Sequence, residues 1–347
     1  MTTPRPGYDT LEIRPAQPAL LREMNEQVVY DMIRRLRPIS RAEIARRTRL
    51  SKPTVSLALR TLVDGRLVRE VGMESGKPGR AGLLFEPSPE VCLAGAVVVS
   101  ESGIRCDIVD LDGTVLASAD SDAAATTAAE ALELIPNVLD RAIDTSGRPR
   151  GDIATIAVAV PAIIDPMTGL TSWLDAPSDG GAVDFAAVLT TMTGFAVTAS
   201  NSIHLAAVGE VAVGVGRDHR HVVVVAHGSH RGLGAVVDGH LHTGAHGAAG
   251  LRGLPVSDDL TSLIATATIF DPEIVVLTDL SVGAEASGLT SELIGRLADA
   301  LEGDTLIVAS ELGGEAVMSG AIAVAVRGAL ETAFSSRLKR VADHELT

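Results

Sequence analysis

The stretch SRAEIARRTRLSKPTVSLALRTL, residues 40–62, sets Arg41, Arg46, Arg47, Arg49, Lys52 and Arg60 among the small hydroxyl side chains Ser51, Thr54 and Ser56. Guanidinium and ammonium groups at this density suit phosphate oxygens, and short hydroxyl side chains beside them suit base edges. A second basic pair, Lys77 and Arg80, follows in GMESGKPGRAG. Up to Phe85 the chain carries 16 Lys and Arg against 9 Asp and Glu, a balance of +7, and from Glu86 onward 13 against 35, a balance of −22. The overall net charge of −15 therefore hides a basic segment joined to an acidic body, an asymmetry typical of a nucleic-acid-binding module on a solvating partner domain.

Three helices must position these cations. Leu21, Met24, Val28, Met32 and Leu36 recur at helical spacing before Pro38 and predict a first helix packed through that stripe. Ser40 with Glu43 predicts a capping box for a short second helix, RAEIARRT. Ser51 predicts the cap of a third, with Pro53 in its first turn and Val55, Leu59 and Leu62 facing inward. The pair joined by RTRLS reads as a helix-turn-helix, which places Lys52, Thr54, Ser56 and Arg60 on the outer side of the helix that enters the major groove. GRLVREVGMESGKPGRAGLLFEP then reads as strand, glycine-rich tip and strand, a wing whose Lys77 and Arg80 reach phosphates or the adjacent minor groove. Solvated charges on a plain three-helix bundle are the simpler alternative; the hairpin that follows favours the winged helix.

Beyond Pro89 the pattern becomes α/β. LAGAVVVS, IRCDIVDLDG and TVLASAD read as strands with a hairpin at Asp112-Gly113, DAAATTAAEALELIPNVLDRAI as a helix, and IATIAVAVPAII as a buried strand. A second round runs through HLAAVGEVAVG, HVVVVAHG, GLGAVVDG, HLHTG and EIVVLTDL, with a small-residue helix from Ala316 to about Arg337 near the end. Two such halves predict a bilobal domain with a cleft between the lobes.

Composition limits the alternatives. Aromatic residues make up 2% of the chain, too few for stacking platforms on single-stranded bases. Cys92 and Cys106 form neither a disulfide framework nor a paired zinc motif. No apolar stretch is expected to reach the ~18 residues of a membrane span, and the start lacks the apolar centre of a signal peptide. The expected setting is the cytoplasm.

The order of segments resembles the ROK family, the repressor, open-reading-frame and sugar-kinase group, from about Leu20 to Ala333. SKPTVSLALRTLVDGRLVRE, VDLDGTVL, AVAVPAIIDPMTG, VVDGHLHTGAHGAAG and DPEIVVL carry the resemblance. It implies an N-terminal winged helix-turn-helix ahead of a bilobal actin-like, ribonuclease-H-like ROK domain. The divisions expected are a disordered tail at 1–17, the DNA-binding domain at 18–88, and a degenerate ROK domain at 89–347 with lobes at about 89–200 and 201–347.

The same resemblance shows what has been lost. The family's first phosphate loop aligns with VVSES at 98–102, where its acid and both glycines are replaced. GSHRGLG keeps the glycines of the second loop at 228, 232 and 234, although a tight hairpin would use them equally well. Asn-Asp-Ala-Asn in the family becomes Asn201, Ser202, Ile203 and His204, and a serine hydroxyl accepts no proton near neutral pH. The family's sugar-gripping Glu and its His, which also binds zinc, are replaced by Leu251 and Leu254. The cysteine-rich zinc motif is absent, with only the 15 residues 256–270 between Pro255 and Asp271.

Seven of the nine histidines lie between His219 and His246. A solvent-facing, pH-sensitive hairpin is expected there rather than a metal site. Trp173 either lines the ligand cleft or covers a core edge. The candidate cleft residues are Trp173, Asn201, Ser202, His246 and Leu251, with no catalytic residue, metal or cofactor. The reading is a repressor of double-stranded DNA sites, a homodimer or higher homo-oligomer without membrane contact, its effector unknown. A ROK sugar kinase, or a regulator sensing a non-sugar ligand, are the alternatives.

Overall fold

A computed structural model describes residues 18–73, 82–174, 182–227, 232–251, 264–266, 269–280, 294–299 and 304–345. The chain forms two compact units, residues 1–88 with 334–347, and residues 89–333. The last residues thus group with the first unit, and not with the domain to which an 89–347 boundary would give them. The Phe334 ring meets Tyr30 edge-on at 5.9 Å between centroids, and both rings are buried.

In the first unit α1 (Pro18–Leu36), α2 (Arg41–Thr48) and α3 (Lys52–Asp64) pack together. A three-stranded antiparallel sheet follows in the order β1 (Ile39–Ser40), β3 (Leu83–Pro87), β2 (Val68–Met73). Ile44, Val55, Leu59, Leu62 and Leu67 fill its core. The stripe expected to pack α1 does not: Leu21, Met24, Val28 and Leu36 are exposed, while Val29, Tyr30 and Ile33 are buried. The helix carries two apolar faces, and spacing alone cannot say which one meets a partner.

In the second unit one five-stranded sheet runs β11 (Ala196–Asn201), β7 (Ile153–Val160), β4 (Leu93–Ser100), β5 (Gly103–Asp110), β6 (Val115–Ser121). The other runs β16 (Leu306–Ala309), β15 (Ile274–Asp279), β12 (Val222–His227), β13 (Gly232–Val237), β14 (His240–His242). In each, an antiparallel three-strand meander is extended by two parallel strands, so the two halves repeat one topology. Three short strands, β8 (Ala162–Ile164), β9 (Leu170–Trp173) and β10 (Val183–Asp184), form a side sheet.

Helices α4 (Ala128–Ser146) and α5 (Phe185–Thr193) cover one face of the first sheet through Ile135, Leu139, Phe185 and Leu189. The helix expected from Asp122 begins only at Ala128. Thr127 and Glu130 close a capping box there and commit the backbone to a start at that point. On the other face lie α6 (Ser202–Ala212) and the N-terminal part of α7 (Glu315–Glu345), packed through Ala96, Ala159, Leu205, Ala206, Ala316 and Ala321. The helices cross so closely that a Cβ on Gly209 would lie 2.1 Å from the Ala316 carbonyl oxygen, and one on Gly320 would lie 1.8 Å from that of Leu205. Small residues at this crossing are a steric requirement.

A stretch of membrane-spanning length does occur in the chain. Glu315–Ser335 is long and apolar enough to cross a bilayer by length and composition. Its Ala316, Met318, Ala321, Ala325 and Ala329 are buried in the protein core, which gives the apolarity a packing role.

Candidate nucleic-acid interface and altered cleft

The turn between α2 and α3 is built by two local devices. Arg49 adopts the left-handed conformation, φ 59° and ψ 14°, that ends α2. Ser51 then accepts a hydrogen bond from the Thr54 amide at 3.2 Å and starts α3, with Pro53 in the first turn. Inward Val55, Ala58, Leu59 and Leu62 hold α3 against the core and leave Lys52 and Arg60 exposed.

The hydroxyls on this face are already engaged. Thr54 Oγ1 lies 2.8 Å from Ser51 Oγ. Ser56 donates to the Lys52 carbonyl at 2.8 Å and accepts from Arg41 Nη1 at 3.2 Å. Arg41 is thereby drawn from α2 onto α3.

The expected Ser40–Glu43 capping box does not form. Ser40 precedes α2 with no side-chain cap, is buried, and pairs with Leu84 in the sheet. Glu43 instead takes hydrogen bonds from Arg46 Nε at 2.8 Å and Arg47 Nε at 2.6 Å. With a further bond from Arg46 Nη2, three charge-assisted bonds outcompete one neutral backbone amide. Hydrogen bonds from Arg46 and then Arg47 hold the Glu43 carboxyl down at about 2. Arg46 and Arg47 stay solvent-facing, with side chains 68% and 47% exposed, so a stronger anion can compete for them. Lys77 and Arg80 lie outside the described residues.

In the second unit each of the five candidate cleft residues has its own local setting. Asn201 caps α6, its Oδ1 accepting from the Ile203 amide at 2.8 Å and its Nδ2 donating to the Ala162 carbonyl at 2.9 Å. Trp173 packs on the buried Phe185 ring at 5.7 Å, at the edge of the first core. His246 is exposed and lies 3.6 Å from Asp165 Oδ2. Leu251 closes a turn through its amide to Ala248. His204 is buried with Nε2 2.9 Å from the Ala249 carbonyl oxygen, and burial pushes its pKa below the usual histidine range.

Ser202 alone of the five expected residues lines a cavity of about 490 Å³. The other polar groups on that lining include Ser100, Arg105, Asp120, Asp122 and Glu315. Here the turn at 100–103 closes on its own side chains, Ser100 Oγ donating to the Gly103 carbonyl at 3.1 Å and lying 2.9 Å from Ser102 Oγ. Gly103 sits at φ +133°, where a Cβ would be 1.9 Å from the Ser121 carbonyl oxygen.

Arg105 gives Nε and Nη2 to the fully buried Asp107, at 3.1 and 2.9 Å, and Nη1 to both Glu315 oxygens at 3.1 Å. Ser202 is 8% exposed, and its Oγ has no partner among the described residues. Sequence reasoning missed Arg105, Asp120, Asp122 and Glu315; the only linear trace is the i, i+2 spacing of Arg105 and Asp107 on one strand face.

A basic helical unit followed by a paired hairpin, ahead of two topologically repeated sheets, defines a winged helix-turn-helix protein with an actin-like body. Residues 95–259 match the ROK family, and the chain carries a ROK family domain there. It is 22% identical over 243 residues to a xylose repressor of Bacillus spizizenii, an alignment that takes in 69% of this chain and 62% of the repressor. The chain therefore spans about three fifths of that relative's length.

A solved ROK family transcriptional regulator, a homologue of the Escherichia coli Mlc protein, superposes with a TM-score of 0.70 at 17% identity, covering 91% of this chain and 99% of that one. A ROK family glucokinase from Streptomyces griseus, bound to glucose and AMPPNP, gives 0.54 at 17% identity, covering 68% and 99%. Regulators and kinases share the body's fold, so the fold does not choose between them. Among the described residues no group of three or more His, Cys, Asp or Glu could hold a metal ion, and Cys106 is buried in the sheet core.

Proposed function

We propose that this chain is a sequence-specific, duplex-DNA-binding transcriptional regulator, a cytoplasmic repressor of ROK type, whose body is catalytically inactive. The observation that carries the reading is the Ser51-capped N-terminus of α3 with Lys52 and the incoming Arg41 beside it, and Arg60 exposed further along the same helix. Docked by that end in the major groove, α3 would place Lys52, Arg60 and Arg41 at phosphates, and Thr54 and Ser56 at base edges. Arg46 and Arg47 join the backbone contacts when phosphate displaces Glu43. Lys77 and Arg80, expected from the sequence at the wing tip, would extend the footprint. Two heads are needed to read a two-fold site, and the body supplies the pairing of two chains. The xylose repressor similarity supports the same reading.

The kinase alternative lacks the chemistry. Phosphoryl transfer needs a base at the attacking hydroxyl and groups that hold the transferred phosphate. Ser202 offers no base, and the phosphate-side lining carries Asp120, Asp122 and Glu315, which repel a triphosphate. Loss of the sugar-gripping Glu and of the zinc ligands points to loss of ordinary sugar binding as well.

Binding of the purified chain to its own upstream DNA, measured across a salt series, tests the reading. Affinity should fall steeply with salt and exceed non-specific binding by on the order of 10³-fold or more. Equal affinity for every duplex offered, or transfer of phosphate from ATP to a hexose, would refute it.

A further inference from the structure

The cavity of about 490 Å³ in the second unit is large enough for a small metabolite. Three carboxylates, Asp120, Asp122 and Glu315, and one guanidinium, Arg105, line it. That guanidinium has little to offer an incoming anion, because Nε, Nη1 and Nη2 are all donating to Asp107 or Glu315. Asp107 adds a further negative charge just behind it. The field at the lining is therefore negative, and a phosphate or carboxylate ligand would enter against it.

The remaining walls are mixed. Val98, Ile104, Leu280 and Met318 supply apolar surface, and Ser202 stands among them with its Oγ unpartnered and its side chain more than nine-tenths buried. A buried hydroxyl without a partner is costly, and a ligand hydrogen-bond donor would satisfy it. An ammonium group brought into such a cavity loses hydration and needs carboxylate partners, which Asp120 and Asp122 provide at the lining.

We infer that this cavity is a binding site for a small organic amine, a protonated ammonium on an apolar body, held by Asp120 and Asp122 with Ser202 accepting a hydrogen bond. The negative lining that turns away a nucleotide is what selects the cation. The inference does not depend on the head binding DNA.

Calorimetry with isosteric probe pairs tests it: tyramine against tyrosol, and cadaverine against pentanediol, in which only the ammonium is exchanged for a hydroxyl. At least one amine should bind, and its neutral counterpart should bind about tenfold or more weakly. The double substitution Asp120→Asn and Asp122→Asn, on exposed side chains, should weaken the amine by about the same factor while leaving the melting temperature of the unliganded protein unchanged. Absence of binding by both amines, equal affinity within each pair, or an unaltered amine affinity in a folded double variant would each overturn the proposal. DNA binding measured on the same variant reports separately on the head, where no change is expected.

Discussion

The two units handle charge in opposite ways. In the head, cations stand on the surface of a short contiguous stretch: Arg41, Lys52 and Arg60 are exposed, and the one acid among them, Glu43, is spent on Arg46 and Arg47. In the body, the guanidinium of Arg105 is drawn between buried Asp107 and Glu315, residues on separate elements, and the surplus around it is negative. A surface charge needs only a helix to display it, whereas Arg105 is held by one partner on its own strand and another on a helix distant in sequence.

The comparison breaks first at the α6–α7 crossing, if the body is less tightly built than the short contacts imply. Gly320→Val should cost about 4 kcal/mol or more, or prevent folding, because the new side chain has no room beside the Leu205 carbonyl. Urea unfolding followed by circular dichroism measures this, and near-normal stability would contradict the packing. Ile44→Ala in the head, at a fully buried position, should cost roughly 2–5 kcal/mol in the same experiment. It should weaken DNA binding only through loss of folded head.

The double substitution Lys52→Ala and Arg60→Ala sharpens the contrast, since it should leave melting within about 0.5 kcal/mol of the parent. It should flatten the plot of log affinity against log salt by about two units, one for each lost phosphate contact. An unchanged slope would place DNA elsewhere on the molecule.

The smallest effect belongs to Glu43. Its folded carboxyl is depressed to about 2 from 4.5, so its contribution to stability is complete above pH 4.5 and is lost as pH falls toward 2. Glu43→Gln should remove that part of the acid dependence in a pH series of thermal melts. It should also raise DNA affinity slightly by releasing Arg46 and Arg47. A variant that binds DNA less well would show that Glu43 positions those arginines rather than competing for them.

Much of the head was legible because its devices are local. Ser51 capping, Pro53 in the first turn and the Val55, Leu59 and Leu62 stripe all act within a few residues. The same locality misled at Ser40, where a capping box reads well in sequence but a strand pairing and two arginines take both partners. It also misled in α1, where Leu21, Met24 and Val28 share helical spacing yet face away from the core. In the body the strands were legible from β-branched runs. The packing of Trp173 and His246 was not, because each is placed by contacts distant in sequence: Trp173 against Phe185, and His246 near Asp165.

What the chain determined by itself was the division into a basic head and an acidic α/β body, and the order of their elements. These follow from composition, periodicity and short-range spacing, each of which acts along the chain. Tertiary structure alone decided that Arg105, Asp120, Asp122, Ser202 and Glu315 meet around one cavity, and that Gly209 and Gly320 sit where two helices nearly touch. Such meetings depend on strand order and helix crossing, which bring together residues up to two hundred positions apart, and no local pattern records them.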